Sequence, residues 1–253
     1  MIFTNLIQAQ LSTKIFGQQI EYHRSTNSTN DDLWSSIHDE INEGYLVITD
    51  NQKAGRGRRG NVWLSESGSS LLFSFLIKPN HLSLDKINLL PLLTGVAVVQ
   101  GISNFTELNC KLKWPNDIYI DDKKVGGILA ESKVINEKSH VVMGIGINVN
   151  ELKLPENISN NATSLRIIKN KPIERESLLA FILNEFEILY SSSHLEWIYK
   201  WNSHCIHLNS IVKFHYNNKT IEGTFLKINK MGQALLNING NINIFSSGVV
   251  ELT

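Results

Sequence analysis

The chain has 253 residues, enough for one large domain or for a large domain with a smaller one. Its 24 Lys and Arg residues balance 24 Asp and Glu residues, so the composition predicts no nucleic-acid partner. Residues 89–99 form the longest apolar stretch, which is too short to span a bilayer and is broken by Pro91 and Thr94. The N-terminus lacks the basic region of a signal peptide, and two cysteines make no disulfide framework. We therefore expect a cytoplasmic protein without membrane contact.

The first half of the chain alternates helical and strand patterns. Residues 31–41 predict an amphipathic helix with Asn30 as its N-cap. Residues 45–49 predict a strand, and strand-like runs follow at 62–64 and 71–77. A longer helix is expected after Ser83, with Pro91 either kinking it or marking a later start.

The second half predicts a sheet, a helix and a small β-domain. A long helix is expected to begin near Pro172 and to run through Leu189. Composition shifts near Cys205, and evenly spaced short strands after it suggest a small β-barrel. The predicted strands are residues 110–114, 118–120, 124–133, 141–149, 211–214, 220–228, 234–238 and 242–245.

Residues 52–60 read QKAGRGRRG and form what we call the arginine loop. Its three glycines permit unusual turns and close approach of the backbone to a ligand, and its three arginines suit carboxylate or phosphate. Gly55, Gly57 and Gly60 have the spacing of a dinucleotide fingerprint, but a strand rather than a helix is predicted after them. A nucleic-acid-binding arm and a solvated surface turn are further alternatives. The pattern favours a loop that closes over an anionic ligand.

Four more segments carry residues suited to ligand binding. Residues 28–30 (STN) precede a predicted helix, where hydroxyl and amide groups can bind a carboxylate or a polar ring. Residues 113–117 (KWPND) place a lysine and a tryptophan before a turn. Residues 123–131 (KKVGGILAE) and 144–150 (GIGINVN) contain glycines within strands, which mark bulges or places where a ligand nears the backbone. Taken singly, each segment is also compatible with an ordinary cap, turn or bulge.

Together and in this order, the five segments resemble those of bacterial biotin–protein ligases. The resemblance covers about residues 28–165, and the barrel-like tail fits it too. Lipoate ligases share the architecture but lack the arginine loop. Family members that repress transcription carry an added N-terminal DNA-binding domain, for which this sequence leaves no room before the arginine loop. A second STN triplet at 25–27 overlaps the motif, and we prefer 28–30 because the predicted helix follows it directly.

The resemblance implies an α+β fold: a central mixed β-sheet with helices on one side, as in class II aminoacyl-tRNA synthetases, plus an SH3-like barrel. We expect residues 1–204 to form the catalytic domain and residues 205–253 the barrel. The implied activity is that of a biotin–acetyl-CoA-carboxylase ligase, which uses biotin, ATP and Mg²⁺ to make biotinyl-5′-AMP and modifies a lysine of a biotin carboxyl carrier domain. A lipoate or octanoate ligase and a non-catalytic sensor of biotin or nucleotide remain alternatives. The family includes homodimers, and the oligomeric state is left open.

The resemblance also implies roles for individual residues. No metal site made by the protein is expected, since His204, Cys205 and His207 are too sparse a set for zinc. The roles of Asn116 and Asp117 are left open between the metal–nucleotide site and the incoming lysine. The catalytic residues implied are Lys124, Arg58 and Asp117. The implied biotin-binding residues are Ser28, Thr29, Asn30, Gln52, Gly55, Arg56, Gly57, Arg58, Lys124, Gly127 and Gly146. The implied ATP-binding residues are Arg58, Arg59, Trp63, Lys113, Asn116 and Asn148.

Overall fold

The computed structural model describes residues 1–37, 41–80 and 82–252, without the side chains of residues 84 and 85. Two β-sheets organise this part of the chain, a mixed sheet of seven strands and an antiparallel sheet of five. The sequence prediction of a mixed sheet with helices followed by a separate C-terminal β-domain is confirmed. None of the described helices is long and apolar enough to cross a bilayer.

The elements are as follows. The helices are α1 (Thr4–Gln10), α2 (Thr29–Ser36), α3 (Leu84–Ile87), α4 (Leu90–Thr106), α5 (Glu156–Ser159), α6 (Leu165–Lys169), α7 (Arg175–Tyr190) and α8 (His194–His204). The strands are β1 (Ile20–His23), β2 (Leu46–Thr49), β3 (Leu71–Ile77), β4 (Lys111–Lys113), β5 (Asp117–Ile120), β6 (Lys123–Ile135), β7 (Lys138–Ile147), β8 (Ile211–Tyr216), β9 (Lys219–Ile228), β10 (Ala234–Ile238), β11 (Asn241–Phe245) and β12 (Val249–Leu252).

The large sheet has the strand order β1-β2-β3-β7-β6-β5-β4, with β1 and β2 parallel and the other neighbours antiparallel. Residues alternate between its faces. Leu46 and Ile48 join the main core with the long helices α4 and α7, whereas Val47 packs with Leu33 of α2 in a smaller cluster. Helix α2 therefore covers part of the opposite face, and the expectation of helices on one side holds for the long helices.

Helix α2 differs from its prediction at both ends. It begins at Thr29, after Ser28 in the N-cap position, so the predicted cap Asn30 lies within the helix and is buried. Asp31 and Asp32 fall in the first turn, where a negative charge is favourable. The helix ends at Ser36, and Ile37 has an extended backbone, so the predicted continuation of the helix is wrong at Ile37. Residues 38–40 of the predicted helix lie outside the described residues.

Of the two prolines expected near helix starts, Pro91 marks one and Pro172 does not. Pro91 lies in the first turn of α4, so the helix begins late and is preceded by the separate short helix α3. Pro172 is not the first helical position, because α7 begins at Arg175.

The strand predicted at 62–64 is also wrong, since Val62 makes only an isolated bridge to Arg56.

The C-terminal sheet has the order β11-β10-β9-β8-β12 and buries Phe214, Phe225 and Val250. It contacts the large sheet through the indole of Trp114, whose Nε1 donates to the carbonyl of Gly232 at 3.2 Å. The C-terminal domain is thereby placed beside the KWPND segment.

Candidate active site

An open cavity of about 960 Å³ lies on the face of the large sheet that carries α2. The arginine loop, the start of α2, the KWPND segment and strands β6 and β7 all contribute to its walls. The sequence-predicted residues that line it are Ser28, Thr29, Asn30, Gln52, Arg56, Gly57, Arg58, Arg59, Trp63, Lys113, Asn116, Asp117, Lys124, Gly127 and Gly146. Segments that are far apart in the sequence thus converge on one site.

The arginine loop folds back on itself as a small hairpin. The Gly57 amide donates to the Asn61 carbonyl at 2.7 Å, and the Trp63 amide donates to the Gly55 carbonyl at 2.9 Å. At its tip, Arg59 and Gly60 adopt left-handed conformations with φ of 56° and 78°. This turn directs positively charged side chains at the cavity, as the glycine and arginine pattern predicted.

Two cationic side chains are fixed by neighbours from the KWPND segment. Arg58 Nη1 donates to Asn116 Oδ1 at 3.1 Å, and Lys124 Nζ lies 2.6 Å from Asp117 Oδ1. Burial, with Arg59 nearby, lowers the pKa of the Arg58 guanidinium. An anion that enters the cavity offsets the free-energy cost of removing this cation from water.

Lys113 adds a third positive charge. Its ammonium donates to the hydroxyl of Tyr119 at 3.0 Å, and burial lowers the pKa of the Lys113 ammonium. Among the described residues that line the cavity, Asp117 is the one carboxylate, against five Arg or Lys side chains. The excess of positive charge suits a ligand that carries carboxylate and phosphate groups.

Arg56 is held differently from the other cations. Its guanidinium donates to Asp31 at 2.5 and 2.6 Å and to Glu131 Oε1 at 2.9 Å. The hydrogen bond to Asp31 and the charge of Glu131 raise the pKa of the Arg56 guanidinium. Its positive charge is therefore already matched by carboxylates in this arrangement.

Glycines in the cavity floor leave room for neighbouring side chains, and Trp63 covers part of the floor. A Cβ atom on Gly146 would stand 2.6 Å from Trp63 Cε2, and one on Gly144 would stand 2.2 Å from Asn30 Oδ1. Lys124 Nζ lies 5.7 Å from the centre of the Trp63 ring. The buried Trp63 Nε1 has no hydrogen-bond partner among the residues described, which leaves a donor at the cavity wall.

The STN triplet at 28–30 forms the polar end of the cavity. The Thr29 amide donates to Gln52 Oε1 at 2.9 Å, and the Thr29 hydroxyl lies 2.7 Å from Ser74 Oγ. All three residues of this triplet line the cavity, whereas residues 25–27 are absent from its lining. Thr26 instead bridges to Gln52 through the backbone.

Two predicted site residues are not part of the lining. Gly55 shapes the arginine loop, since a Cβ there would stand 2.7 Å from the Trp63 carbonyl. Asn148 is buried and its Nδ2 donates to the Thr163 carbonyl at 3.0 Å. Their ligand-binding roles stay predictions.

Sequence reasoning missed several residues of the site. Gly144 and Ile145 lie in a segment that was singled out, so the strand pattern could have identified them. Val249 is contributed by the C-terminal domain, and no sequence signal pointed to it. The remaining unpredicted lining residues are Asn61, Val62, Trp114, Pro115, Ile128 and Leu129.

Comparison with known proteins identifies relatives over most of the chain. The model of the biotin/lipoate A/B protein ligase family matches residues 22–148. The bifunctional ligase/repressor BirA of Bacillus subtilis is 35% identical, over 97% of this chain and 78% of its own length. The biotin–acetyl-CoA-carboxylase ligase of Mycobacterium tuberculosis is 26% identical, over 92% of this chain and 88% of its own.

Solved structures show the same likeness. Biotin protein ligase from Aquifex aeolicus, in complex with biotin and ATP, is 31% identical and superposes with a TM-score of 0.81, covering 92% of this chain and 98% of that one. The sequence match and the shared fold both extend over most of the chain. The chain therefore belongs to the biotin/lipoate A/B protein ligase family.

Proposed function

We propose that this protein is an ATP-dependent biotin–protein ligase. The observation that carries the proposal is the pairing of Lys124 with Asp117 and of Arg58 with Asn116 in a cavity whose floor includes Gly127 and Gly146. A related protein, the Aquifex ligase, binds biotin and ATP. The segments that form this site are also those that resemble the ligase motifs.

The first reaction joins two anions. An oxygen of the biotin carboxylate attacks the α-phosphorus of ATP, the bond to the β-phosphate oxygen breaks, and pyrophosphate leaves. The reacting groups need no enzyme nucleophile once they are aligned, so charge neutralisation and orientation supply the catalysis. We assign Lys124 and Arg58 to the junction of carboxylate and α-phosphate, with Lys113 and Arg59 toward the remaining phosphates.

Mg²⁺ enters this scheme as part of the MgATP substrate. Mg²⁺ is usually held by one or two carboxylates together with substrate phosphates and waters. Asp117 supplies one carboxylate to the lining, and no cluster of three or more His, Cys, Asp or Glu side chains suited to a metal occurs among the described residues. This fits a cation carried mainly by the nucleotide.

The second reaction transfers the biotinyl group. The neutral amine of a lysine attacks the acyl carbon of biotinyl-5′-AMP, the bond to the phosphate oxygen breaks, AMP leaves, and the amine loses a proton. Asn116 and Asp117 lie beside Arg58 and Lys124, so the same pair of side chains serves either the nucleotide or the incoming lysine. We assign Asp117, with Lys124 and Arg58, to the catalytic group.

The acceptor is the biotin carboxyl carrier domain of acetyl-CoA carboxylase or of another biotin-dependent carboxylase. The name of the Mycobacterium tuberculosis relative supports the first of these. We further place the protein in the cytoplasm, where ATP and such carboxylases occur, and retain a homodimer as a prediction for its assembly. The domain boundary at residue 205 likewise stays a prediction.

The test is incubation of the purified protein with radiolabelled biotin, MgATP and a carrier domain. Label on the carrier that depends on ATP and on the acceptor lysine supports the proposal, and a carrier with that lysine changed to Arg is the matched control. Tight biotin binding without transfer would instead favour a sensor.

A further inference from the structure

Glu131 lies outside the cavity lining, yet both of its carboxylate oxygens have partners from two other elements. Oε1 accepts from Arg56 Nη2 at 2.9 Å. Oε2 accepts from Asn30 Nδ2 and from Trp34 Nε1, each at 3.0 Å. One carboxylate on β6 thus connects the arginine loop with helix α2.

The bond to Glu131 at 3.0 Å, with a longer one of 3.5 Å to the Leu129 carbonyl, fixes which way the Asn30 amide faces. A carboxylate ion accepts and does not donate, so the Asn30 nitrogen faces Glu131 and its oxygen faces Ser74. The Ser74 hydroxyl donates to Asn30 Oδ1 at 2.7 Å. With its proton used in this way, Ser74 Oγ is an acceptor for the Thr29 hydroxyl 2.7 Å away, and Gln52 Oε1 at 3.2 Å is the second acceptor of that hydroxyl. Glu131 therefore favours one direction of donation along this chain, in which the Thr29 hydroxyl donates to Ser74, Ser74 donates to Asn30, and Asn30 donates to Glu131.

This chain of hydrogen bonds reaches the cavity at the Thr29 hydroxyl. Beside it, the Thr29 backbone N–H donates to Gln52 Oε1 at 2.9 Å independently of the hydroxyl, so Nε2 is the group that Gln52 offers to a ligand. Asn30, Ser74 and Thr29 are each at most 3% exposed, so bulk water does not replace a lost partner. A change at Glu131 is transmitted to the cavity through buried groups.

We propose that Glu131 is a positioning residue for the acyl substrate. It sets the donor and acceptor polarity of Asn30, Ser74 and the Thr29 hydroxyl at the STN end of the cavity, and it anchors Arg56 of the arginine loop at the same time. Glu131 acts through Asn30 and Arg56 rather than by touching the ligand. This inference rests on the proposed function, because biotin is the acyl substrate used to test it.

The test is Glu131→Gln, with KM measured separately for biotin and for ATP in pyrophosphate release. A glutamine cannot serve all three donors: with its oxygen toward Asn30 and Trp34 its amide group meets Arg56, and with its oxygen toward Arg56 its amide group meets Asn30 and Trp34. We expect the KM for biotin to rise about tenfold to about a hundredfold, as for loss of a charge-assisted hydrogen bond, with the KM for ATP within about twofold. A general loss of structure would raise both constants or lower the melting temperature.

Asp31→Asn is the matched control. It weakens the other carboxylate contact of Arg56 but leaves the bonds from Glu131 to Asn30 and Trp34 intact. Because exposed ion pairs contribute little, we expect the KM for biotin to change less than about fivefold. If the KM for biotin rises equally in Asp31→Asn and Glu131→Gln, Glu131 does not set the polarity of the triplet and serves only to anchor Arg56.

Two further outcomes are decisive. A Glu131→Gln protein with wild-type KM for biotin overturns the proposal. If that variant does not fold, Ser74→Ala interrupts the same chain at another point, and an unchanged KM for biotin in it has the same meaning. Wild-type protein without biotin-dependent pyrophosphate release refutes the proposed function itself, which keeps the two failures distinct.

Discussion

Lys124 Nζ lies 2.6 Å from Asp117 Oδ1, across the neighbouring antiparallel strands β6 and β5. The pairing holds the ammonium at the cavity wall with one carboxylate as its partner. An anionic ligand that enters the cavity therefore meets a lysine that is already oriented.

We predict that Lys124→Ala cripples adenylation and leaves the fold intact. The site brings the biotin carboxylate and the triphosphate together, and their repulsion must be offset before attack. The Lys124 and Asp117 side chains are 32% and 21% exposed. With biotin and ATP covering the pair, loss of the lysine is expected to cost about 2–5 kcal/mol, as for truncated buried charge pairs, which corresponds to about thirtyfold to several thousandfold in rate or affinity. Pyrophosphate release and thermal melting measure the two effects.

Lys123→Ala is the control for this variant. The Lys123 ammonium points away from the cavity, toward the Ser159 carbonyl at 3.5 Å, and its side chain is exposed. Activity near wild type is expected. If Lys123→Ala slows pyrophosphate release and Lys124→Ala does not, the assignment of Lys124 is contradicted. If neither variant slows it, the arginines must neutralise the negative charges without Lys124.

We predict that biotin with ATP protects the arginine loop from trypsin. Its tip residues Arg59 and Gly60 are exposed, and the glycines permit motion until an anion offsets the clustered positive charge. Cleavage at Arg58 and Arg59 should slow when both ligands are added, while cleavage at the exposed Lys138, the first residue of β7, should not. Equal protection at both positions, or none, would count against ordering of this loop by its ligand.

His207 provides a pH-dependent test of the packing in the C-terminal domain. Neither ring nitrogen has a hydrogen-bond partner in the described part of the chain, and the ring centre lies 4.2 Å from that of Phe225. Burial, with the charge of Lys113 as a lesser cause, lowers the pKa of His207 to about 3. The unfolded chain therefore binds a proton near pH 6.5 that the folded chain does not bind until about pH 3.

The stability contributed by neutral His207 is complete above about pH 6.5 and is lost as the pH falls, by at most about 1.4 kcal/mol per pH unit. Urea unfolding at several pH values should show a smaller dependence for His207→Leu than for wild type. His194→Gln, on helix α8, is the control and should retain the wild-type dependence. Identical pH dependence in wild type and His207→Leu would contradict this explanation.

Local sequence patterns predicted the helices and strands whose apolar residues recur with a strong period. They failed where packing between distant segments determines the structure. Ile7 is the one buried residue of helix α1, so the sequence of this helix carries little periodic signal. The partner of Arg56 could not be predicted, because Glu131 is 75 residues away and reaches it only through the register of β6. Helix α2 starts earlier than expected because Thr29 and Asn30 bond to Gln52 and Ser74, which a local rule for N-caps does not include.

The candidate site was better predicted than the helix ends, because its chemistry is concentrated in short motifs. Arg58, Lys124 and Asp117 lie together as the motifs implied, whereas the hydrogen bonds of Ser74 and Glu131 needed the three-dimensional structure. Asn148 shows the limit of the motif: its segment lies at the site, but its side chain bonds to Thr163.

The central claim is that this site activates biotin and transfers it to protein. The most direct test is the intact mass of a carrier domain after incubation with the enzyme, MgATP and equal amounts of biotin and lipoate. We predict a single biotinyl addition that disappears without ATP and forms at least about thirtyfold more slowly with Lys124→Ala. A lipoyl addition, or an unmodified carrier beside active control ligase, would contradict it.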